Sequence, residues 1–113
     1  LEFPVRHGEG KFWAPRETLD TLAANNQIVL RYAQAGGQPA DGTFPANPNG
    51  SLSDIAGICD PSGRIFGLMP HPEAYNHWTN HPDWSLEKAT GRAVTENLTP
   101  GVHIFRNAVQ SLS

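Results

Sequence analysis

The chain has 113 residues, 38% of them hydrophobic, and a formal net charge of −3 at pH 7. This length predicts a single small domain. Basic residues are not clustered, which argues against a nucleic-acid surface, and no apolar run is long enough to cross a membrane. The single cysteine, Cys59, cannot form an internal disulfide. With no visible export signal, the composition predicts a cytoplasmic protein.

The first half of the chain predicts a strand, a helix, a second strand and a long loop. Residues 1–7 combine β-formers with a proline, as an edge or terminal strand does. Pro15 suits the first position of a helix that ends at Asn25-Asn26. Residues 27–33 predict a buried strand. Residues 34–50 are dense in Gly, Pro, Asn and Asp and predict a loop.

The second half predicts a β-hairpin, an irregular segment and a terminal helix. Asp60-Pro61-Ser62-Gly63 is a turn signal between two apolar runs, which indicates the hairpin. Residues 74–99 show no clear period and are interpreted as an irregular insertion. Thr99 as N-cap and Pro100 at the first helical position begin an amphipathic helix expected to pack on the sheet. Its apolar stripe contains Val102, Phe105, Val109 and Leu112. The fold class predicted is α/β, with mixed α and β elements.

The motif GLMPHPE, residues 67–73, places a histidine and a glutamate two positions apart. A residue before proline favours extended backbone, so Leu68 to Glu73 should be extended, with the side chains of His71 and Glu73 on one face. The carboxylate would then orient the imidazole as a general base. The pair would follow a buried apolar strand, residues 64–69, at the sheet edge where ligands collect. The alternative is a rigid turn with a solvated glutamate.

Cys59 lacks the surroundings of a catalytic nucleophile. A nucleophile elbow has glycines on both sides of the cysteine and leads from a strand into a helix. Here Gly57 has no counterpart after Cys59, and the next element is a hairpin turn. The sequence therefore favours a structural role for this thiol.

Taken together, these motifs resemble the phosphoribosylformylglycinamidine synthases of purine biosynthesis. The resemblance is to their glutaminase part, which is a class I glutamine amidotransferase. The resemblance rests on FPVRHGEGKF, ETLDTLAANNQI, NPNGS, IAGI, GLMPHPE and the terminal GVHIFRNAVQSL, in that order. It covers nearly the whole chain except residues 74–99. It implies the C-terminal part of a flavodoxin-like fold, in which His71 and Glu73 are two members of a Cys-His-Glu triad.

The resemblance also implies a function and a partner. The family hydrolyses glutamine and passes ammonia to a synthetase subunit or domain, which amidates formylglycinamide ribotide. The glutaminase part needs no cofactor and no metal; ATP and magnesium belong to the synthetase partner. The family's nucleophile lies upstream of the segment matched, so this chain alone should be inactive. The alternative is a non-catalytic module that docks on a synthetase.

Four further residues are candidate contacts with substrate or partner: His7, Glu9, Asn47 and Asn49. Their alternatives are a glycine-rich turn for the first pair and consecutive Asx turns for the second. A metal site is not predicted. His71, His77 and His81 are the histidines to consider as metal ligands, and His77 and His81 are four residues apart. However, Pro82 follows His81 at once, and no cysteine or further ligand is well placed.

Overall fold

The computed structural model describes residues 1–6, 8–92 and 98–113. The chain divides into two compact units. The single domain expected from the sequence stays a prediction. The first unit contains Leu1–Arg6 and Pro70–Ser113, and the second runs from His7 to Met69.

The second unit begins with a glycine-containing segment that leads into α1, Arg16–Ala24. Pro15 is the N-cap, one residue earlier than predicted, and Asn25 is the C-cap. Leu19 and Leu22, at helical spacing, are the half-buried residues on an otherwise exposed helix. Asn26 follows in the left-handed region with φ 55°, which asparagine tolerates better than most residues.

This unit also contains a three-stranded antiparallel sheet, in the order β1–β2–β3. The strands are β1, Ile28–Arg31; β2, Ile55–Cys59; and β3, Phe66–Leu68. The predicted hairpin is confirmed, because Gly57 pairs with Leu68 and Cys59 with Phe66 across the turn. The prediction that the outer strands are buried is wrong. Exposed and half-buried residues alternate along β1, and Phe66 and Gly67 are exposed.

The core of this unit is small. Tyr32, Ala40 and Ala56 are buried together, with Leu30 and Ala46 packed against them. The predicted loop, residues 34–50, wraps this cluster without a helix or strand of its own. A 3₁₀ turn at Leu52–Asp54 then leads into β2.

In its described residues the first unit contains two 3₁₀ turns and two helices. The turns are Pro72–Ala74 and Trp78–Asn80; the helices are α2, Trp84–Ala89, and α3, Pro100–Ser111. Residues 74–99 were expected to be irregular, and this prediction is wrong for the six residues of α2. Residues 93–97 lie outside the described part, and the interpretation of the segment as an insertion stays a prediction.

α3 begins as the sequence predicts. The Thr99 hydroxyl accepts a hydrogen bond from the Val102 backbone N–H, and Pro100 is the first helical residue. The expected burial of its apolar stripe is wrong: Phe105, Val109 and Leu112 are 50%, 66% and 83% exposed. Among the described residues of its own unit, nothing covers these three side chains, whereas Val102 is half-buried.

The strand predicted over residues 1–7 is also wrong for residues 1–6, which have no regular structure; residue 7 lies outside the described part. Pro4 has no N–H to donate to a strand ladder. Its carbonyl oxygen instead accepts a hydrogen bond from the His71 backbone N–H, at 2.9 Å.

In the parts of the chain that the structure describes, no helix has both the length and the apolar character needed to cross a membrane.

Candidate functional site

The backbone at the His-Glu motif is a cap followed by a tight turn. His71 is the N-cap of the 3₁₀ turn Pro72–Ala74, with φ −107° and ψ 84°, and Pro72 occupies the first position of that turn. The prediction of extended backbone is therefore wrong at Glu73. Proline at the start of a helical turn has a suitable φ and leaves no orphan N–H. The extended bias that Pro72 imposes on His71 is compatible with this, because an N-cap residue is itself non-helical.

The two side chains nevertheless meet as predicted. His71 Nδ1 lies 2.6 Å from Glu73 Oε1. An ionised carboxylate only accepts hydrogen bonds, so the imidazole nitrogen facing it carries the proton. In the neutral ring Nε2 is then the unprotonated nitrogen, on the other side of the imidazole. This arrangement suits a general base whose tautomer is fixed by a carboxylate.

The electrostatics of Glu73 follow from this contact. The hydrogen bond from His71 is the main cause that holds the pKa of Glu73 below its ordinary value, and the Arg6 cation adds a smaller effect in the same direction. The side chains of His71 and Glu73 are 35% and 60% exposed. The pair therefore lies at the surface of its unit, where a reactant can reach the ring.

Contacts from two segments, the N-terminal residues and the start of α3, hold this turn in place. The Pro4 carbonyl accepts from the His71 backbone N–H. The Thr99 hydroxyl donates to the Tyr75 carbonyl in a short contact. Gly101, the buried residue of α3, approaches so closely that a Cβ there would collide with the carbonyl oxygens of Pro72 and Tyr75. The absence of a side chain at Gly101 thus lets the start of α3 support the turn that carries Glu73.

Beside the turn lies a cavity of about 160 Å³, lined by residues 2–4, Tyr75 and residues 80–82. His71 and Glu73 are not among these lining residues. His81 contributes an imidazole ring to the wall, and its side chain is 11% exposed. Its ring packs at 5.8 Å from the Tyr75 ring, between centroids. Sequence reasoning considered His81 only as a metal ligand.

The NPNGS motif makes a polar network inside the second unit. Asn49 Nδ2 donates to the Gly10 carbonyl at 2.7 Å and also lies 3.2 Å from the Tyr32 hydroxyl oxygen. The Ser51 hydroxyl accepts from the Phe12 backbone N–H at 2.9 Å. These bonds join NPNGS to Gly10 and Phe12 of the motif FPVRHGEGKF. Two of the motifs that support the resemblance are therefore in direct contact.

Asn47 is the most buried member of this network, at 2% exposure. Its amide donates to the Ser51 carbonyl and to Asp54 Oδ1, at 2.9 and 2.8 Å. The same carboxylate accepts from the backbone N–H groups of Asp41 and Gly42, at 2.7 and 2.9 Å. Asn47 thus has a structural role. The structure adds no support to its predicted contact with a ligand or partner.

Burial by itself would raise the pKa of Asp54. The hydrogen bonds from Gly42, Asn47 and Asp41, with the nearby Arg31 cation, outweigh burial and hold that pKa below its ordinary value. Asp54 is therefore a buried, ionised anchor for residues 41–51. Its long-range partners left no local signal in the sequence.

Cys59 ends β2, and the hairpin turn follows it directly. The Asp60 carboxylate accepts hydrogen bonds from the Ser62 hydroxyl and from the backbone N–H groups of Arg64 and Ile65. The Ser62 hydroxyl is the main cause that lowers the pKa of Asp60 to about 2. The thiol thus lies beside a turn stabilised by a carboxylate, in a strand–turn–strand rather than a strand–elbow–helix.

The remaining candidates stay predictions. Glu9 is exposed, and His7 lies outside the described residues. Across the described ranges there is no group of three His, Cys, Asp or Glu side chains that could hold a metal ion.

Comparison with known proteins agrees with the motifs. The profile of the CobB/CobQ-like glutamine amidotransferase domain matches residues 1–111. The phosphoribosylformylglycinamidine synthase subunit PurQ of Methanococcus maripaludis strain S2 is 45% identical over 111 residues, which are 95% of this chain and 41% of that protein. The corresponding subunit of Thermomicrobium roseum is 46% identical over 84 residues, 74% of this chain and 34% of that protein.

The chain thus spans between about a third and two fifths of the length of these curated relatives. That it is their C-terminal part stays a prediction. The mixed α/β architecture, with its antiparallel sheet and helices, fits a class I glutamine amidotransferase fold. The profile match covers almost every residue, and the chain therefore belongs to the CobB/CobQ-like glutamine amidotransferase domain family.

Proposed function

We propose that this chain is part of a longer glutaminase, called the parent protein below, which supplies ammonia for the amidation of formylglycinamide ribotide in purine biosynthesis. The relatives' name, phosphoribosylformylglycinamidine synthase subunit, supports the pathway. The observation that carries the chemistry is the 2.6 Å contact between His71 Nδ1 and Glu73 Oε1. It leaves Nε2 to exchange protons with a nucleophile.

In this reaction a cysteine thiol attacks the amide carbon of glutamine. His71 Nε2 takes the thiol proton and then gives it to the leaving nitrogen, which departs as ammonia. Water then attacks the thioester and gives a proton to His71 Nε2. As the bond between carbon and sulfur breaks, Nε2 returns that proton to the cysteine sulfur, and glutamate is released. Glu73 holds the ring in one tautomer and stabilises its charged form between the two proton transfers of each step.

The nucleophile is expected outside this chain. Cys59 is the only cysteine in the sequence, and it ends a hairpin strand instead of occupying an elbow. The parent protein must therefore supply a second cysteine close to His71. By itself the chain is expected to leave glutamine intact.

A synthetase subunit is the partner that would consume the ammonia, and it would bring the ATP and magnesium. The placement of Cys59 also favours a second candidate function, in which the parent is a non-catalytic module that docks on that synthetase. The two functions differ in whether the parent protein reacts with glutamine.

The test is steady-state glutaminase activity of the parent protein with its synthetase present. His71→Ala should lower kcat by roughly 10²- to 10⁴-fold, because proton transfer by a positioned side chain contributes about that factor. His103→Ala, which removes an exposed imidazole on α3, is the matched control and should leave kcat unchanged. A loss of only a few-fold in His71→Ala would contradict the role of His71 as the base.

An electrophilic glutamine analogue separates the two candidate functions. The glutaminase predicts covalent labelling of one cysteine in the parent protein other than Cys59. Binding to the synthetase without any labelling would favour the docking module. Labelling at Cys59 would contradict both, because it would make the hairpin thiol the nucleophile.

A further inference from the structure

His81 is a nearly buried histidine between two acidic residues of its unit. His81 Nε2 lies 3.6 Å from Glu2 Oε2, and Nδ1 lies 3.9 Å from Glu87 Oε1. Glu2 belongs to the segment before residue 7, whereas Glu87 belongs to α2. The ring therefore links two segments that are far apart in sequence.

The tautomer of this ring follows from a backbone contact. The Asp83 N–H donates to His81 Nδ1 at 3.2 Å, so in the neutral ring Nδ1 is the acceptor and Nε2 carries the proton. Nε2 and Glu2 Oε2, 3.6 Å apart, are at ion-pair distance rather than hydrogen-bond distance, and both residues line the cavity. Glu2 itself is 81% exposed, so this contact has one buried and one solvated partner.

A short path leads from this contact to His71. Glu2 is two residues before Pro4, and the Pro4 carbonyl accepts the His71 backbone N–H at 2.9 Å. Residues 1–6 have no regular structure of their own, so their position depends on such tertiary contacts. A shift of this segment would displace the carbonyl that holds the His71 backbone.

We propose that His81 is a positioning residue for the proposed reaction: by holding Glu2 it fixes the Pro4 carbonyl, and through it the backbone of His71. This inference rests on the proposed function, because His71 matters to turnover only if it is the base. The contact assigns a role to a histidine that takes no part in the proton transfers themselves.

The experiment uses the parent protein with the variants His81→Ala, Glu2→Ala and His81→Gln. Both alanine variants should lower kcat roughly tenfold and leave KM little changed. This loss in kcat is smaller than the ~10²-fold that a 1 Å misplacement can cost. His81→Gln should recover part of the loss, because its amide N–H can donate to Glu2 from near the place of Nε2. His103→Ala is the control for loss of an imidazole elsewhere in this unit.

A second readout follows the backbone directly. Hydrogen exchange of the His71 amide should be faster in Glu2→Ala than in the unaltered parent protein, since the Pro4 acceptor is no longer fixed. Glu2 is mostly exposed, so this variant should fold even if His81→Ala does not. Unchanged kcat and unchanged His71 exchange in Glu2→Ala would overturn the inference. If His71→Ala itself kept full turnover, the proposed function would fail, while the exchange measurement would still decide whether Glu2 fixes this backbone.

Discussion

Gly101 offers a direct test of how the His-Glu turn is supported. An alanine Cβ at this position would come within 2.5 Å of the Tyr75 carbonyl oxygen and closer still to that of Pro72. Both neighbours are backbone atoms of the turn and its flank, so neither can rotate away as a side chain would. The methyl group can be accommodated only if the start of α3 and the turn move apart.

Two effects of Gly101→Ala oppose each other. Replacing glycine by alanine inside a helix ordinarily stabilises a protein by about 0.5–1 kcal/mol. Forcing one carbon into a packed site costs about 1–3 kcal/mol, and contact with two backbone oxygens favours the upper part of that range. The collision should therefore prevail, with a net loss of about 1–2 kcal/mol in the free energy of unfolding.

The assay is thermal unfolding of the parent protein together with its glutaminase kinetics. The midpoint should fall by roughly 2–4 °C for each kcal/mol lost, and kcat should fall as well because Glu73 lies in the displaced turn. Gly36→Ala is the control, since among the described residues a methyl group there would meet no atom within 4 Å. A Gly101→Ala protein as stable and active as the unaltered one would refute the proposed support.

Three further predictions concern the carboxylates. Asp54→Asn should lower the free energy of unfolding at pH 7 by about 1–3 kcal/mol, because the loop loses a buried ionised acceptor. In urea titrations, the difference from the unaltered protein should shrink as the pH falls through the lowered pKa of Asp54. Below that pKa the Asp54 carboxyl of the unaltered protein is itself neutral, as the amide of the variant is. NMR titration should place the pKa of Glu73 below its ordinary value, and His71→Ala should return it towards that value; no response to His71→Ala would mean that the contact does not form in solution. Asp60 should titrate near a pKa of about 2 and move upwards in Ser62→Ala, whereas an unchanged value would show that the hydroxyl is not its main partner.

The contact between His71 and Glu73 was predictable from the sequence, but its geometry was not. Two residues that share a face in extended chain can also meet across an N-cap and the second position of a 3₁₀ turn. The motif therefore predicted the contact between His71 and Glu73 correctly but the backbone conformation at Glu73 wrongly. The deciding preference is that of Pro72 for the first position of a helical turn.

Local signals predicted the hairpin and the start of α3, and a weaker local signal at α2 was missed. Asp83 precedes α2, and Gly91, with φ 69°, follows its cap at Thr90. A glycine in the left-handed region is a common helix terminator and could have indicated the helix. Its six residues are too few to show a period beside so many His, Asn and Pro residues.

The contacts that hold the NPNGS motif in the second unit, and those that hold the His-Glu turn in the first, could not be read from the sequence because they depend on distant partners. Asn49 reaches Gly10 across 39 positions, and Thr99 reaches Tyr75 across 24. The prediction that the apolar stripe of α3 is buried was wrong for another reason. A pattern of apolar residues predicts that a face is to be covered, but whether the covering residues belong to the same chain is not encoded in that pattern.

Measuring which nitrogen of the neutral His71 ring carries the proton tests most directly whether Glu73 prepares His71 as a base. In the ¹⁵N-labelled parent protein, at a pH where the ring is neutral, the proton should reside on Nδ1, and Nε2 should have the chemical shift of an unprotonated nitrogen. Glu73→Gln should change this tautomer balance, since the acceptor is then no longer a carboxylate. A neutral ring protonated at Nε2, or a balance unaffected by Glu73→Gln, would contradict the claim that Glu73 prepares His71 as a base.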